Sequence, residues 1–312
     1  MTQLGPKLTV AESSRSGPAS VHFHHPDFDK SWLFMAWAGV GNESINLMHV
    51  DPFAGEISKS TSSETTPKSP YLTVHNAGVL VAWTGSGNPG QLNVSPISVG
   101  IGQGDTDHPQ LRLFDRDKVT LAEASIEAPT LASLGGRLFI AWTDVDTNRI
   151  CLMVSEDNGA HFQGKVRLTD TAIGRPVIAA HRNRLFIAWT GTDHQLNVAR
   201  VMTALSSARP GTRAHLFLTT LTGKMTLAET SDAAPALASF ADRLVIAWTS
   251  ADDRHLNFLF SHDDGVSFGD KFTSSEEALD APVLAAGNGR LYVSWTGIDT
   301  DGHLNLASVD PS

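Results

Sequence analysis

Apolar residues recur along this chain in short runs that polar turns separate. One such stretch holds four runs in a row: APTLAS from Ala128, RLFIAWT from Arg137, RICLMVS from Arg149 and GKVRLT from Gly164. The turns between them are rich in Gly, Asp and Asn, as turns between strands are. Both alternating faces of RLFIAWT are apolar, which predicts a strand covered by a neighbouring sheet on each side.

This four-strand pattern repeats about every 50 residues. Each of six units carries a Lys, an acid five residues later and a Pro six residues after the acid: Lys7, Glu12, Pro18; Lys59, Glu64, Pro70; Lys118, Glu123, Pro129; Lys165, Asp170, Pro176; Lys224, Glu229, Pro235; Lys271, Glu276, Pro282. In five units a Trp follows 13 residues after the Pro: Trp83, Trp142, Trp189, Trp248 and Trp295; the first unit reaches Trp37 after 19. The pattern predicts an all-β fold, a six-bladed β-propeller of four-stranded antiparallel blades.

The chain ends predict how the ring closes. The C-terminal HLNLASVDPS matches a third strand, so the last blade lacks its fourth. Near the N-terminus KLTVAE resembles the fourth strands KVTLAE and KMTLAE. We therefore expect residues 1–12 to complete the last blade, which removes a free sheet edge. Residues 1–312 then form one domain.

Long and short units alternate. Successive Trp intervals are 46, 59, 47, 59 and 47 residues. The extra residues lie around 100–117 and 206–223, between the third and fourth strands of blades 2 and 4. This alternation favours two-blade superunits with approximate threefold character.

Composition narrows the possible partners. The chain is 41% apolar and carries a net charge of −10, which argues against nucleic acid as the main partner. No apolar run approaches a membrane span, and the first residues lack the apolar segment of a classical signal peptide. A cytoplasmic or non-classically secreted protein is expected. A single cysteine, Cys151, excludes internal disulfides, and its place in the repeat predicts a buried thiol.

Two segments carry a family resemblance: SEDNGAHF (155–162) and SHDDGVSF (261–268) resemble the Asp-box S-x-D-x-G-x-x-F/W. This motif is typical of the sialidase-like propellers, a superfamily of glycosidases and sugar-binding proteins. The resemblance implies a hairpin turn without a catalytic role. It implies carboxylates that accept hydrogen bonds from turn amides, glycines with positive φ and core phenylalanines: Asp157 and Asp263, Gly159 and Gly265, Phe162 and Phe268.

The same resemblance raises the possibility of an enzyme. Sialidases have an arginine triad, a Tyr/Glu nucleophile pair and an R-I-P motif. Arg175-Pro176 approximates that motif without its Ile, Tyr71 begins an inner strand, and Glu127 lies in a loop that could approach it. The other two triad arginines have no match by position. The resemblance therefore leaves open an exo-glycosidase with Tyr71, Arg175 and Glu127 in a single pocket at the channel mouth.

Binding is the leading interpretation, because similar loops recur around the ring. Loops from second to third strands and from fourth to first strands should emerge on one face. Repeated sites there favour a lectin-like protein with several related glycan sites, since many weak sites act together. The candidate ligand-binding residues are Asp144, Asp146, Asp193, His194, Asp252, Arg254, His255, Asp299 and His303. The carboxylates could also bind calcium, although no cofactor is expected. A protein-interaction scaffold is a third interpretation.

Other conspicuous residues have structural explanations. The acid present in all six units should cap a turn or pair with a neighbouring blade, and the repeated Trp should be buried between blades. Trp32 lies outside the pattern and is a candidate for stacking on a sugar ring. His22, His24 and His25 could join Asp27 or Asp29 in a metal site, but their loop spacing does not favour it.

Overall fold

The structure, a computed structural model, describes residues 2–102, 105–205 and 216–310. Its strands form six small antiparallel sheets arranged in a ring, as predicted. The strands of blades 1 to 3 are β3 (Ala19–His25), β4 (Lys30–Ala38), β5 (Ser44–Asp51) and β6 (Gly55–Thr65); β7 (Tyr71–His75), β8 (Gly78–Thr84), β9 (Gln91–Gly102), β10 (Asp105–Leu113) and β11 (Val119–Ala124); β12 (Thr130–Leu134), β13 (Arg137–Thr143), β14 (Arg149–Ser155) and β15 (Gln163–Thr171).

Blades 4 to 6 follow the same plan. Their strands are β16 (Val177–His181), β17 (Arg184–Thr190), β18 (Gln195–Leu205) and β19 (Leu216–Thr230); β20 (Ala236–Phe240), β21 (Arg243–Thr249), β22 (His255–Ser261) and β23 (Gly269–Glu277); β24 (Val283–Gly287), β25 (Arg290–Thr296) and β26 (His303–Asp310), with β1 (Gln3–Leu4) and β2 (Leu8–Ser13). The one helical element in the described ranges is a 3-10 turn at Asp115–Asp117. No helix in these ranges is long and apolar enough to cross a membrane.

The N-terminal strand closes the ring, as the sequence predicts. β2 pairs antiparallel with β26, with Leu8 opposite Leu306 and Thr9 opposite Asn305. Val10 of β2 is 4% exposed and belongs to the apolar cluster between blades 6 and 1. The first-to-last contact is thus part of the core. The assignment of residues 1–312 to one domain stays a prediction.

Each junction between adjacent blades holds its own apolar cluster, six in all. The repeated Trp lies in these clusters and is at most 1% exposed in every blade, which confirms that it is buried between blades. Trp32 is also buried, at 4% exposure, and stacks on Phe23 and Phe34 at 6.3 and 6.1 Å between ring centroids. The prediction that Trp32 could stack on a sugar was therefore wrong, because its ring is a core contact of blade 1.

The repeated Lys and acid link neighbouring blades. Each Lys forms an ion pair with the acid of the preceding blade, and Lys7 with Glu276 completes the circle at 2.7 Å. The other pairs are Lys59–Glu12, Lys118–Glu64, Lys165–Glu123, Lys224–Asp170 and Lys271–Glu229. Four of these Lys also lie over the Trp of their own blade, at 5.2 to 5.5 Å. The structural interpretation of the repeated acid is confirmed.

Blade 3 departs from a second internal pattern. In the other five blades a buried Asn accepts a hydrogen bond from a Thr of the fourth strand, as Asn93 does from Thr120 at 2.7 Å. Blade 3 has Cys151 in place of the Asn and Arg167 in place of the Thr. Cys151 is fully buried, as predicted. Burial raises the pKa of the Cys151 thiol, although Arg167 opposes the shift.

Extensions from alternate blades cover alternate junctions. The β9–β10 hairpin of blade 2 lies on blade 1, where Ser58 and Ser60 donate hydrogen bonds to Pro109 and Leu111 carbonyls at 2.6 and 2.5 Å. Leu218 of β19 packs at the junction of blades 3 and 4, and Leu4 of β1 at the junction of blades 5 and 6. The insertion predicted at 206–223 lies partly outside the described residues.

The two segments that resemble Asp-boxes form tight turns. Asp157 Oδ1 accepts a hydrogen bond from the His161 amide at 2.8 Å, and Asp263 Oδ1 accepts one from the Ser267 amide at 2.8 Å. Gly265 has φ 78°, a conformation that favours glycine. Phe162 and Phe268 pack against the apolar clusters, but the assignment of these turns to the Asp-box motif stays a prediction.

Acid should weaken the turn at Asp263. Hydrogen bonds from Ser267 and Ser261 lower the pKa of Asp263 to about 2. The folded pKa lies below the unfolded one, so the stabilisation is complete above about pH 5 and is lost as the pH falls toward 2. Asp263→Asn should remove this part of the pH dependence, measured as the thermal midpoint of both proteins between pH 5 and 2. Parallel profiles would contradict the prediction.

Closure of the ring by β2 can be tested with two substitutions in one strand. Val10→Asn places an amide in the cluster between blades 6 and 1, and should lower the free energy of unfolding by about 3 kcal/mol. Ala11→Asn, on the exposed face of the same strand, should change it little. Urea denaturation measures both, and equal midpoints would show that β2 does not bury Val10 in the core.

Candidate functional site

The two loop sets predicted to share a face do meet there. The Ser125 amide in the loop between β11 and β12 donates a hydrogen bond to the Gly90 carbonyl in the β8–β9 loop at 3.0 Å. The Ser231 amide likewise donates to the His194 carbonyl at 3.0 Å. We call the loop between a fourth strand and the first strand of the next blade an entry loop. Backbone hydrogen bonds therefore hold each entry loop against the neighbouring loop between a second and a third strand. We call this side of the ring the loop face.

At the centre of the loop face, the six entry loops surround a cavity of about 140 Å³. Close approach is possible because some loop positions are small: a Cβ on Gly17 would lie 2.1 Å from the Ala281 carbonyl oxygen. We name this cavity the mouth site. Its charged lining residues are Lys68, Glu127, Arg175, Asp232 and Asp280.

Lys68 and Glu127 form an ion pair on one wall of the mouth site, with Nζ and Oε1 2.8 Å apart. Burial by itself lowers the pKa of Lys68. The hydrogen bond to Glu127 and the negative charges of Glu127 and Asp280 outweigh that effect and leave this pKa raised. Lys68 thus stays charged, and Glu127 is paired with Lys68 within the wall of the mouth site.

Arg175 is the unusual residue of the mouth site. It is 5% exposed, and its Nε has no hydrogen-bond partner. No acidic side chain in the described ranges forms an ion pair with it; its guanidinium carbon lies 5.8 Å from the Tyr71 ring centroid instead. Buried polar groups normally have partners, and a buried charge without one is costly. The cavity beside Arg175 is therefore suited to a ligand that carries an acceptor.

Tyr71 lies beneath the mouth, where it lines a channel cavity of about 240 Å³ between the inner strands. Burial raises the pKa of Tyr71, and the charge of Arg175 opposes this only in part. The phenol is accordingly neutral near pH 7. Arg175 thus contacts the Tyr71 ring on one side, and on the other side it lines the same cavity as Glu127.

Several predicted ligand-binding residues are occupied within their own loops. Asp144 is 7% exposed, accepts hydrogen bonds from Thr147, and pairs with Arg167 at 2.8 Å. Burial tends to raise the pKa of Asp144, but these hydrogen bonds and the Arg167 charge lower it overall. Asp299 Oδ1 bonds His303 Nδ1 at 2.7 Å. These groups stabilise loops and are less available to a ligand.

The remaining predicted residues are distributed over separate blades. Asp193 accepts a bond from the Gln195 amide at 3.2 Å, and His194 pairs with Asp232 at 2.8 Å beside the mouth site. Asp146, Asp252 and Arg254 are exposed in loops of blades 3 and 5. His255, the first residue of β22, is half-buried with an unpartnered Nδ1. No cavity described around them joins them into one pocket, so their binding role stays a prediction.

Metal binding finds little support. Within the described ranges, no group of three or more His, Cys, Asp or Glu side chains is placed to hold a metal ion. His24 bonds Ser31 at 3.2 Å and lies 3.6 Å from Asp29, while His22 packs against the backbone of Gly287. The three histidines of the first unit therefore do not converge.

Sequence reasoning missed Lys68 as a site residue. The available signal was its position, two residues before the repeated Pro, which Glu127 and Asp280 share. These positions line the mouth in the structure. A charge at this position, where the other units have Ser16, Gly174 and Ala233, would have pointed to the centre of the ring.

Comparisons with known proteins agree with this fold. No protein-family model matches the sequence, and no curated protein matches it. Among solved structures, a protein of unknown function from Dyadobacter fermentans matches 100% of this chain and 99% of its own, with TM-score 0.63 and 12% identity. A Trypanosoma rangeli sialidase in complex with the inhibitor DANA matches 98% of this chain, with TM-score 0.58 and 12% identity; the chain spans 59% of that protein.

A lectin from Aleuria aurantia in complex with α-methyl-L-fucoside is a further match. It covers 98% of this chain and 96% of its own, with TM-score 0.58 and 10% identity. Likeness at such identity shows the fold alone. The resemblance to the sialidase-like six-bladed propellers, predicted from the sequence, is thereby confirmed for the fold.

Two Arg→Met substitutions should have opposite effects on stability. Arg175→Met replaces a buried charge without an acidic partner, and should raise the free energy of unfolding by about 1 kcal/mol. Arg167→Met removes the partner of the nearly buried Asp144 carboxylate, and should lower the unfolding midpoint. Urea denaturation at pH 7 measures both. A destabilised Arg175→Met protein would mean that Arg175 supports the fold rather than a ligand.

Proposed function

We propose that this protein is a carbohydrate-binding propeller that recognises an acidic sugar at the mouth site. The observation that carries the proposal is the buried Arg175 side chain, whose Nε has no partner and which lines the cavity. A guanidinium binds a carboxylate through two parallel hydrogen bonds. The sugar carboxylate would accept hydrogen bonds from this guanidinium.

The other mouth residues suit hydroxyl groups. Glu127, Asp232 and Asp280 offer carboxylate acceptors around the rim, and Lys68 offers donors. A small concave cavity with a few convergent polar groups is the usual form of a ligand site. Solved propellers of this fold include a sialidase and a fucoside-binding lectin, which makes a sugar a reasonable ligand class.

A lectin with several repeated loop sites receives less support. The carboxylates of Asp144, Asp193 and Asp299 accept hydrogen bonds within their own loops. A ligand hydroxyl would have to compete with those bonds. The asymmetric site at the ring axis contains Arg175, a buried cation without an acidic partner among the described residues, so we place recognition there.

An exo-glycosidase is the second candidate, because Tyr71, Arg175 and Glu127 lie near one another around the channel axis. Two features favour binding over catalysis. Burial raises the pKa of Tyr71, which weakens it as a nucleophile, and Glu127 is bonded to Lys68. A covalent mechanism would need a base beside the Tyr71 hydroxyl.

Calorimetry with a matched pair of sugars tests the proposal. Glucuronate should bind with one site per chain, and glucose, which lacks the carboxylate, should bind at least about tenfold more weakly. Arg175→Met should remove the preference for the acidic sugar. N-acetylneuraminate and galacturonate extend the panel, because the geometry specifies the carboxylate rather than the ring.

The control is Arg116→Gln, a substitution of an exposed arginine in the 3-10 turn of blade 2. It should bind glucuronate as the unchanged protein does. Several sites per chain that persist in Arg175→Met would favour the repeated loops and contradict the mouth site. Release of 4-methylumbelliferone from an acidic glycoside, lost in Tyr71→Phe, would instead establish the enzyme.

A further inference from the structure

The junction between blades 4 and 5 contains a further cavity, far larger than the mouth site. It measures about 480 Å³. In the described part of the chain no strand extension covers this junction, so the cavity is open there. Junctions on either side are covered, by Leu218 of β19 and by Leu4 of β1. The alternation of covered and open junctions therefore leaves this one accessible.

Apolar residues form the floor and one wall of the cavity. Phe186 and Met225 lie in the strands of blade 4, and the turn at Gly265-Val266 of blade 5 closes over them. A Cβ on Gly265 would lie 2.7 Å from Phe186 Cε1, so this turn rests directly on the ring. Val266 is 73% exposed at the edge. The wall is thus fixed while its rim stays open to solvent.

Three cations and one carboxylate line the same cavity: Arg184, Arg200, Lys224 and Asp264. The carboxylate is already shared, because Asp264 pairs with Arg182 at 2.9 Å and with Arg184 at 3.2 Å. Lys224 pairs with Asp170 at 2.6 Å. Arg200 is half-buried, and none of the described acidic side chains pairs with it. Positive charge is in excess here, although the chain as a whole carries −10.

The fold does not need a charge at Arg200. Arg200 lies opposite Phe186 on the neighbouring strand, and the residues at its position in blades 1, 2, 3, 5 and 6 are His49, Pro96, Val154, Phe260 and Ser308. None of these is an Arg, a Lys or an acid, and Val154 and Phe260 are buried within their junctions. Blade 4 has an arginine at this position and an open cavity beside it.

We infer that this basic groove, formed by Arg184, Arg200 and Lys224 over Phe186 and Met225, binds a sulfate or phosphate ester of a small ligand. The guanidinium of Arg200 would bind the tetrahedral oxyanion through two hydrogen bonds. The apolar floor would cover one face of the group that bears the ester. The site is separate from the mouth site and does not depend on the proposed function.

Calorimetry with galactose 6-sulfate, galactose 6-phosphate and galactose tests the groove. At least one ester should bind with one site per chain and at least about tenfold more tightly than galactose, because charge-assisted hydrogen bonds are lost with the neutral sugar. The tighter ester identifies the preferred oxyanion. Affinity should fall as salt rises, since the groove attracts its ligand by charge.

The chain itself supplies a conservative variant. Arg200→Val introduces the residue that blade 3 has at the same position, so it should fold normally, with an unfolding midpoint no lower than that of the unchanged protein. It should bind the ester at least about tenfold more weakly. Arg175→Met, at the mouth site, should bind the ester normally. The inference would be overturned if the esters bound no better than galactose, or if they bound Arg200→Val as tightly as the unchanged protein. It would also be overturned if Arg175→Met alone lost ester binding.

Discussion

Each blade has two apolar faces, so it is stable only between two neighbours. In β8 of blade 2, Val81 and Trp83 face the junction with blade 1, whereas Leu80 and Ala82 face the junction with blade 3. An open row of such sheets would expose one apolar face at each end. The fold therefore depends on β2, which completes the last blade and buries Val10 against blade 1. The circle of Lys–acid pairs follows the same closed path, and Lys7–Glu276 is its last link.

Closure of the ring also determines the space at its axis. The residue before the repeated Pro is small in five entry loops: Gly17, Ser69, Ala128, Ala234 and Ala281. The sixth loop has Arg175 there, and its side chain lines the cavity at the centre. One large residue among five small ones gives the mouth its asymmetry. A ligand that binds there meets one guanidinium rather than a ring of identical groups.

The features that could be predicted from the sequence are those that recur. Strand patterning, the buried Trp and the ring closure depend on contacts that are repeated in every blade, so the sequence displays each of them several times. The mouth could not be predicted in the same way, because the contact of Lys68 with Glu127 depends on which loops converge at the axis. Trp32 was misjudged for a related reason: it packs on Phe23 and Phe34 within one blade and follows no repeat. Most of the loop acids accept hydrogen bonds within their own turns. The sequence does not distinguish an acid with this local role from one that binds a ligand.

Departures from an internal repeat are informative when they lack compensation within the fold. Arg167 breaks the Asn–Thr pattern of blade 3, yet Cys151 makes room for it and Asp144 neutralises it. Those changes compensate one another, so this departure needs no ligand to explain it. Arg175 stands where the other five loops have a small residue, and Arg200 occupies a position that differs from blade to blade; neither has an acidic partner in the described part of the chain, and each lines a cavity. An unpaired cation beside a cavity costs free energy that a bound anion would restore.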